Sequence, residues 1–401
     1  MLTAEQKQSY NELLYAIVES LDITKTQFNN LQRSYNDVGT FLKEDDVLKL
    51  YHPIVSPQGS LRLGTIIQPV FEDDDLDVDL VFRLTSKNPS WTQFLLKYAV
   101  GNRLKSSNRY SPMLDKEGHR CWTLKYRDNA DSPKERYHMD ILPCVADSEY
   151  ESRLQRMMAN VYQHDQIDKL SIRITDNNAE GYYTETDIDK WLKSNPDGYA
   201  LWFANRCKLN SQISMRSLND IIPIGRQSNK TILQRIVQLL KRHRDYMFRD
   251  DKDNKPISII ITTLAARAYR GENNLLEGFC NVVNSMTLVK KGDLYWVENP
   301  VNPDENFADK WKKYPQRQVN FIKWLQKIKS DVSRIFTMQG IPLQREIADL
   351  FGEKIKNDAY SRMGENLKKR SADGTLKVGS TAMLGSVGRT LNAANTFYGK
   401  K

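Results

Sequence analysis

The sequence predicts an α+β fold. Apolar residues follow a helical pattern over residues 4–44, and short apolar runs typical of strands occur between about 50 and 146. From Asp187 onward the chain is again mainly helical. Helices before and after a region of strands are typical of this class.

The first helical segment is predicted in two parts, residues 4–22 and 24–44. Apolar residues of the first part recur at the spacing of one helix face: Leu13, Leu14, Ile17, Val18 and Leu21. Thr24 stands where the second part begins. A threonine hydroxyl there can accept a hydrogen bond from a free N–H group of the first turn. Thr24 is therefore the predicted N-cap of the second helix.

Strands are predicted at the short apolar runs 80–82 and 141–142, and at 122–126, where apolar and polar residues partly alternate. A polar insertion rich in Asn, Asp and Tyr follows at about 148–190. Helices are predicted over Thr231–Phe248 and Ser258–Tyr269. From about Ser371 the sequence is dominated by small and polar residues, which predicts a flexible tail.

The composition is typical of soluble proteins, with 40% hydrophobic and 27% charged residues. No apolar run approaches the ~20 residues that span a bilayer, so no membrane partner is expected. The polar N-terminus lacks the apolar stretch of a signal peptide. The four cysteines are scattered and form no zinc pattern with the five histidines, so reduced thiols are expected. These features predict a cytoplasmic protein.

The net charge of +9 suggests a nucleic-acid partner, but its distribution weakens that interpretation. Residues 365–401 hold seven basic and two acidic side chains, so this segment supplies +5 and residues 1–364 supply +4. A charge of +4 on the main body suits a phosphate-binding cleft and does not require a nucleic-acid duplex.

The densest acidic segment is Glu-Asp-Asp-Asp-Leu-Asp-Val-Asp at 72–79. In a strand, Asp77 and Asp79 point to the same face, about 6.6 Å apart along the backbone. Two carboxylates this close repel unless cations lie between them. Carboxylate sites suit Mg²⁺ or Mn²⁺, the metals of nucleotidyl transfer. A solvated acidic loop is the simpler explanation of an isolated Asp-x-Asp, whereas an EF-hand would need a glycine and a terminal glutamate that are missing here.

Two neighbouring sequences favour a nucleotide site. Gly59 and Ser60, at the start of a short predicted helix, offer backbone N–H groups and a hydroxyl to phosphate oxygens. Asp140 is a single carboxylate in the apolar strand sequence Tyr137–Pro143. A buried aspartate is costly unless it is paired or bound to a metal ion.

The order Gly-Ser, Asp-x-Asp and a later third Asp resembles the DNA polymerase β-like nucleotidyltransferase superfamily. Within it, residues 45–350 are similar to the bacterial cyclic-oligonucleotide synthases. These form the cGAS/DncV-like (CD-NTase) family, which acts in anti-phage (CBASS) signalling and is related to animal cyclic GMP–AMP synthase and oligoadenylate synthase. The resemblance implies a mixed sheet with flanking helices in a nucleotidyltransferase core at 1–190. A helical lobe at 191–364 would close the nucleotide cleft, and 365–401 would form a flexible basic tail.

The resemblance also implies roles for the residues of the pattern. Gly59 and Ser60 would hold the donor triphosphate, and Asp77 and Asp79 would ligate two Mg²⁺ ions, for which Mn²⁺ can substitute. Asp140 would complete the site for the ion that activates the attacking hydroxyl. The substrates would be NTPs, with ATP expected among them. The product would be a cyclic di- or trinucleotide, an adenine-containing cyclic trinucleotide being the starting guess.

Three further residues match the family less specifically. Lys241 and Ser258 resemble the lysine and serine that the family sets against the β- and γ-phosphates. The structural alternatives are a solvated helix face for Lys241 and a helix N-cap for Ser258. Asn306 follows two Asn-Pro pairs and is a candidate for lining the cleft, although a loop leading into a helix also explains its segment.

Two other functions stay open. An enzyme that adds nucleotides to RNA 3′ ends without a template would share the three aspartates. The modest body charge and the lack of an aromatic and basic RNA-binding module argue against it. A module that only binds nucleotide would gain nothing from keeping three mutually repelling acids. Stable double-stranded DNA binding is not expected, because no zinc-binding insertion is present.

The C-terminus raises a separate hypothesis. In many operons of this family, ubiquitin-like conjugation machinery joins the synthase to a target through a C-terminal glycine. Gly399 would be that functional end if Lys400 and Lys401 are removed or are not native. A solubilising tail is the alternative.

Overall fold

The computed structural model describes residues 2–71, 74–127, 136–147, 170–207, 229–379, 384–388 and 390–391. The helices are α1 (Ala4–Ser20), α2 (Lys25–Lys43), α3 (Gly59–Leu63), α4 (Gln93–Lys105), α5 (Pro196–Arg206), α6 (Ile232–Met247), α7 (Ser258–Ala268), α8 (Leu275–Ser285), α9 (Pro315–Ile335), α10 (Gly340–Phe351) and α11 (Glu353–Ala372). The strands are β1 (Ile54–Gln58), β2 (Leu76–Leu84), β3 (Trp122–Tyr126), β4 (Tyr137–Ala146), β5 (Ile172–Ile174), β6 (Leu192–Ser194), β7 (Val289–Lys291), β8 (Leu294–Trp296), β9 (Glu298–Asn299), β10 (Asn302–Asn306), β11 (Lys377–Val378), β12 (Leu384–Gly385) and β13 (Thr390–Leu391). The predicted α+β class is confirmed.

The predicted helices and strands match these elements closely. Helices α1 and α2 occupy the two predicted N-terminal segments. Thr24 caps α2 as predicted: its hydroxyl accepts from the backbone N–H of Gln27, and the Gln27 side chain accepts from the backbone N–H of Thr24. Helices α6 and α7 lie within one residue of their predicted bounds. Residues 148–169 of the predicted polar insertion lie outside the described residues.

The chain forms two compact units. The sheet unit contains Ile23–Gln234 and Trp296–Phe307, and the helical unit contains Met1–Asp22, Arg235–Tyr295 and Ala308–Lys401. These units do not follow the predicted boundaries at 190 and 364. The difference arises because α1 packs against α8 and α11, which come much later in the sequence.

The sheet unit is built on a mixed sheet with the strand order β1-β2-β4-β5-β6, and β3 also pairs with β4. Strands β2 and β4 are parallel, whereas the other pairs are antiparallel. Apolar side chains from one face of β2, β3 and β4 enter a core shared with α2 and α4. On the opposite face, the residues near the N-terminal ends of these strands have polar side chains.

In the helical unit, α9 carries a buried polar group. Asp331 is fully buried and lies 3.0 Å from Nε2 of His243 on α6. The indole N–H of Trp324 donates to Nδ1 of the same histidine at 3.1 Å. Both ring nitrogens are therefore engaged, so the buried polar atoms of this pair are satisfied. None of the helices in the described ranges has the length together with the apolar character that a transmembrane segment requires.

The described residues between 365 and 391 differ from the predicted flexible tail. Helix α11 continues to Ala372, and β11 pairs with both β12 and β13 in a small antiparallel sheet. Contacts with α1 hold this region, because Glu12 accepts from the Arg370 guanidinium at 3.0 Å and from the Ser386 hydroxyl at 2.7 Å. The prediction failed here because these partners are distant in sequence. Gly399 and the other residues from 392 onward lie outside the described residues.

Candidate active site

The strand β2 carries Asp77 and Asp79 on its polar face. Val78, between them, is buried in the sheet core, whereas Asp77 is exposed and Asp79 is half-buried. This is the alternation that the sequence predicted. Both carboxylates therefore stand on the same side of the sheet.

Asp140 stands next to Asp79 on the neighbouring parallel strand. The two residues are direct partners in the register of β2 and β4. Side chains of paired residues lie on the same face, and adjacent strands are about 4.8 Å apart. Asp140 was expected to be buried but is half-buried. The register therefore brings Asp77, Asp79 and Asp140 together on one face, although they come from distant parts of the sequence.

Thr123 adds a residue that the sequence analysis missed. It pairs with Asp140 in the antiparallel register of β3 and β4, and its hydroxyl donates to Oδ1 of Asp140 at 2.6 Å. The alternation in 122–126 already indicated that Thr123 faces away from the core. Only the strand pairing shows that it faces an aspartate.

The charge of this face also acts on Cys121. Burial, followed by the negative charges of Asp140 and Asp79, raises the pKa of the Cys121 thiol to about 12. Cys121 therefore remains protonated at neutral pH and is a poor nucleophile.

Gly59 brings the start of α3 against Asp79. Gln58, the last residue of β1, pairs with Asp79, and Gly59 then turns the chain with a φ of 60°. A Cβ atom on Gly59 would lie 2.0 Å from Oδ2 of Asp79, well inside van der Waals contact. Glycine is thus required twice, by the left-handed backbone and by the close approach. Ser60 follows as the second residue of α3 and is half-buried.

The three aspartates fit Mg²⁺ by donor type and by position on one face. They do not yet converge on a common point: in the described ranges, no three His, Cys, Asp or Glu side chains are close enough to hold a metal ion. Asp140 is turned towards Thr123. The backbone register pairs Asp79 with Asp140, so the distance between their carboxylates depends on the side-chain rotamers.

Lys241 and Ser258 belong to the helical unit, where they border one polar cluster. Lys241, with 7% of its surface exposed, does not lie on a solvated helix face. The guanidinium of Arg244 donates to the Ser258 hydroxyl at 3.0 Å and pairs with Asp245 at 2.7 Å. Burial opposes ionisation of Asp245, but the charges of Arg244 and Lys255, with a smaller effect of Lys241, lower its pKa.

Ser258 does not have the capping role that the sequence allowed for it, whereas the segment of Asn306 is followed by a short helix. Ile257 occupies the N-cap position of α7, and Ser258 is the first helical residue, so Ser258 does not cap the helix. Asn306 is the last residue of β10, and a short 3-10 helix, Asp309–Trp311, begins three residues later. The side-chain oxygen of Asn306 accepts from the backbone N–H of Val297 at 2.8 Å, which holds the turn back towards β8.

The known proteins that this chain resembles are synthases of oligonucleotides and dinucleotides. A family model described as the Second Messenger Oligonucleotide or Dinucleotide Synthetase domain matches residues 9–164. The chain is 27% identical over 414 residues to the c-di-GMP synthase of Roseivirga ehrenbergii, and the alignment covers 100% of both chains. It is 21% identical to the cyclic dinucleotide synthase CdnG of Bradyrhizobium diazoefficiens, with 78% of this chain and 73% of that protein aligned.

The fold is shared with a solved member of the same group. The structure of the Bradyrhizobium diazoefficiens CD-NTase CdnG in complex with GTP superposes with a TM-score of 0.63 at 18% identity. The superposition covers 89% of this chain and 99% of that one. The domain match, the full-length relative and the common fold agree: residues 9–164 match a Second Messenger Oligonucleotide or Dinucleotide Synthetase domain, and the chain is similar to CD-NTase nucleotidyltransferases.

Proposed function

We propose that this nucleotidyltransferase makes a guanine-containing cyclic dinucleotide from NTPs, with GTP as a donor. The observation that carries the proposal is the placement of Asp77, Asp79 and Asp140 on one sheet face beside Gly59. The guanine assignment draws support from the full-length likeness to a c-di-GMP synthase and from the solved CdnG structure, which is a complex with GTP. GTP thus replaces ATP, and a dinucleotide replaces the adenine-containing trinucleotide, as the first product to test.

In the proposed reaction, the ribose hydroxyl of one nucleotide attacks the α-phosphorus of another and pyrophosphate leaves. Asp77 and Asp79 would hold two Mg²⁺ ions, with Asp140 completing one site. These ions would supply charge compensation on the triphosphate and a lower pKa for the ribose hydroxyl. The backbone at Gly59 and the Ser60 hydroxyl would orient the triphosphate, so the protein contributes mainly positioning.

The proposal also includes Lys241, Ser258 and Asn306, which lie outside the sheet face. Lys241 and Ser258 would contact the β- and γ-phosphates. The cationic setting of both, beside Arg244 and Lys255, suits an anionic ligand. For Asn306 a cleft-lining role would have to use atoms other than its side-chain oxygen, which the Val297 N–H already engages.

The product assay tests the proposal directly. Purified protein is incubated with each α-labelled NTP, alone and mixed, with Mg²⁺ or Mn²⁺, and the products are separated after phosphatase treatment. We expect a small phosphatase-resistant product labelled from GTP. It should disappear with a chelator and in the Asp77→Ala/Asp79→Ala variant, whose folding is checked by circular dichroism.

Other outcomes would contradict the proposal in different ways. A resistant product labelled from ATP alone would reject guanine as the base. Long products that require added RNA would instead support an enzyme acting on RNA 3′ ends. Binding of GTP without any turnover would support a nucleotide-binding module.

We further propose that the product acts in anti-phage signalling, as the family resemblance implies. Cells that express the wild-type protein with its neighbouring genes should survive phage challenge better than cells with the Asp77→Ala/Asp79→Ala variant. Equal survival would contradict this role.

Conjugation through Gly399 predicts a chain that ends at this glycine in the native host, and an intact mass that includes Lys401 would contradict it.

A further inference from the structure

Asp197 forms a buried link inside the sheet unit. It lies in the first turn of α5, and its carboxylate accepts from the Arg83 guanidinium at 2.9 Å and from the Arg62 guanidinium at 3.3 Å. The exposed fractions of the three side chains are 8%, 1% and 11%. Because water is largely excluded, these charged hydrogen bonds constrain geometry more than a surface ion pair would.

The two arginines come from the two elements that build the proposed site. Arg83 lies on β2, four residues beyond Asp79. Arg62 lies on α3, two residues beyond Ser60. One carboxylate therefore contacts both the strand that carries the paired aspartates and the short helix that carries the Gly-Ser turn.

Helix α3 depends on such external contacts. It has five residues, and a helix this short gains too few internal hydrogen bonds to be stable alone. At its C-terminal end, the side-chain amide of Gln234 donates to the carbonyl of Leu63 at 2.8 Å. At its N-terminal end, Gly59 lies against Asp79. Between these ends, Leu61 is buried in the core and Arg62 supplies the charged contact.

Asp197 is itself held in place. Asn195 caps α5 by accepting from the backbone N–H of Gly198 at 2.8 Å. A Cβ atom on Gly198 would lie 2.5 Å from the Asn195 side chain, so the turn is closely packed. The position of Asp197 near the helix N-terminus also favours its negative charge.

We propose that Asp197 is a positioning residue that sets the spacing between the Gly59–Ser60 turn and the aspartates of β2. This inference rests on the proposed function, in which that turn holds the donor triphosphate. Asp197 acts through Arg62 and Arg83 and does not itself contact the nucleotide. Loss of the Arg62 contact should loosen the turn while the Arg83–Asp197 pair remains.

The informative variant is therefore Arg62→Met. It replaces the unbranched apolar part of the arginine side chain without its charge, and it leaves Asp197 paired with Arg83. Arg173→Met is a matched control, because Arg173 lies on β5 of the same sheet, has only 14% of its side chain exposed, and pairs with Asp147 and Asp189. Arg62→Lys restores the positive charge and should recover part of the function.

Nucleotide affinity provides a readout that does not depend on turnover. Equilibrium binding of a non-hydrolysable GTP analogue with Mg²⁺ should weaken about tenfold or more in Arg62→Met and change less than about twofold in Arg173→Met. In steady state, KM for GTP should rise more than kcat falls. An equal loss of affinity in both variants, or no loss in Arg62→Met, would overturn the proposal.

A double-mutant cycle tests whether Arg62 acts through Asp197. We expect Asp197→Asn to weaken analogue binding at least as much as Arg62→Met. Adding Arg62→Met to Asp197→Asn should cause no further loss. Multiplicative losses would show that the two residues act independently and would overturn the proposed link. Because binding is measured directly, a wild-type protein that binds GTP without forming product would refute the proposed synthesis and still decide this inference.

Discussion

At the scale of single residues, Gly59 carries the tightest constraint in the site. Its left-handed backbone and its contact with Asp79 both exclude a side chain. Gly292 has nearly the same φ, 62°, but a Cβ atom there would have no neighbour within 4 Å. Alanine substitutions at these two glycines therefore distinguish the effect of backbone strain from the effect of displacing Asp79.

We predict that Gly59→Ala and Gly292→Ala each lower the free energy of unfolding by about 1–2 kcal/mol, because alanine is strained in the left-handed region. Only Gly59→Ala should also lower kcat/KM for GTP, by about 100-fold, since it displaces Asp79. Urea unfolding and steady-state kinetics measure the two effects. Similar activity in both variants would mean that the contact with Asp79 has no catalytic importance.

Thr123 provides a second prediction at this scale. Thr123→Val keeps the shape of the side chain but removes the hydrogen bond to Asp140. Residues that orient metal ligands typically contribute about 10- to 100-fold in metal affinity. We expect the Mg²⁺ concentration for half-maximal activity to rise by about tenfold. Thr123→Ser keeps the hydroxyl and should restore most of the wild-type Mg²⁺ dependence; failure to do so would argue against orientation of Asp140.

At the scale of secondary-structure elements, the helices that frame the core start at well-defined caps. Helix α2 contributes apolar residues to the core of the sheet unit, and its Thr24–Gln27 capping box satisfies two backbone groups at the first turn. This end is remote in sequence from the proposed catalytic residues, so it allows stability to be altered with the site residues unchanged.

Thr24→Ala should therefore destabilise the protein by about 1 kcal/mol without changing kcat/KM of the folded enzyme. Thr24→Ser retains the cap and should restore the wild-type unfolding midpoint. Chemical denaturation followed by circular dichroism gives the stability, and the product assay gives the activity. A loss of kcat/KM at unchanged stability would contradict a purely structural role for this cap.

At the scale of the whole molecule, the buried His243–Asp331 pair makes stability depend on pH. Burial lowers the pKa of His243, although Asp331 acts in the opposite direction. Trp324 donates to Nδ1, so the geometry assigns the proton to Nε2, facing Asp331. The folded protein therefore holds a neutral histidine, whereas an unfolded histidine becomes protonated below about pH 6.5.

The unfolded state consequently binds more protons below pH 6.5, and the free energy of unfolding falls as the pH falls. The slope from this residue reaches at most about 1.4 kcal/mol per pH unit. His243→Gln keeps a donor for Asp331 and cannot titrate, so its stability should decline less between pH 7 and pH 5.5. Urea unfolding at both pH values gives the comparison, and parallel declines would assign the pH dependence to other groups.

Asp331 contributes to the same trend at lower pH. Burial opposes its ionisation, but hydrogen bonds from His243 and Lys327 outweigh burial and lower its pKa. Its stabilising effect is therefore present above the unfolded pKa of about 3.9 and is lost as the pH falls further. The decline between pH 7 and pH 5.5 is thus dominated by the histidine in this pair.

Local periodicity determined much of this protein from the sequence alone. The spacing of apolar residues predicted α1, α2, α6 and α7, and strand alternation predicted that Asp77 and Asp79 share a face. These features depend on neighbours within a few residues, so the sequence contains them directly. The Gly-Ser and aspartate pattern also indicated a resemblance to the CD-NTases, and the comparisons support this resemblance.

Tertiary structure alone decided what these residues contact. The parallel pairing of β2 with β4 sets Asp140 beside Asp79, and strand β3 brings Thr123 to the same carboxylate. Asp197 gave no signal in the sequence, because its importance comes from Arg62 and Arg83, which lie far from it along the chain. Long-range strand register and buried ion pairs depend on how distant segments pack, and local sequence patterns do not encode that packing.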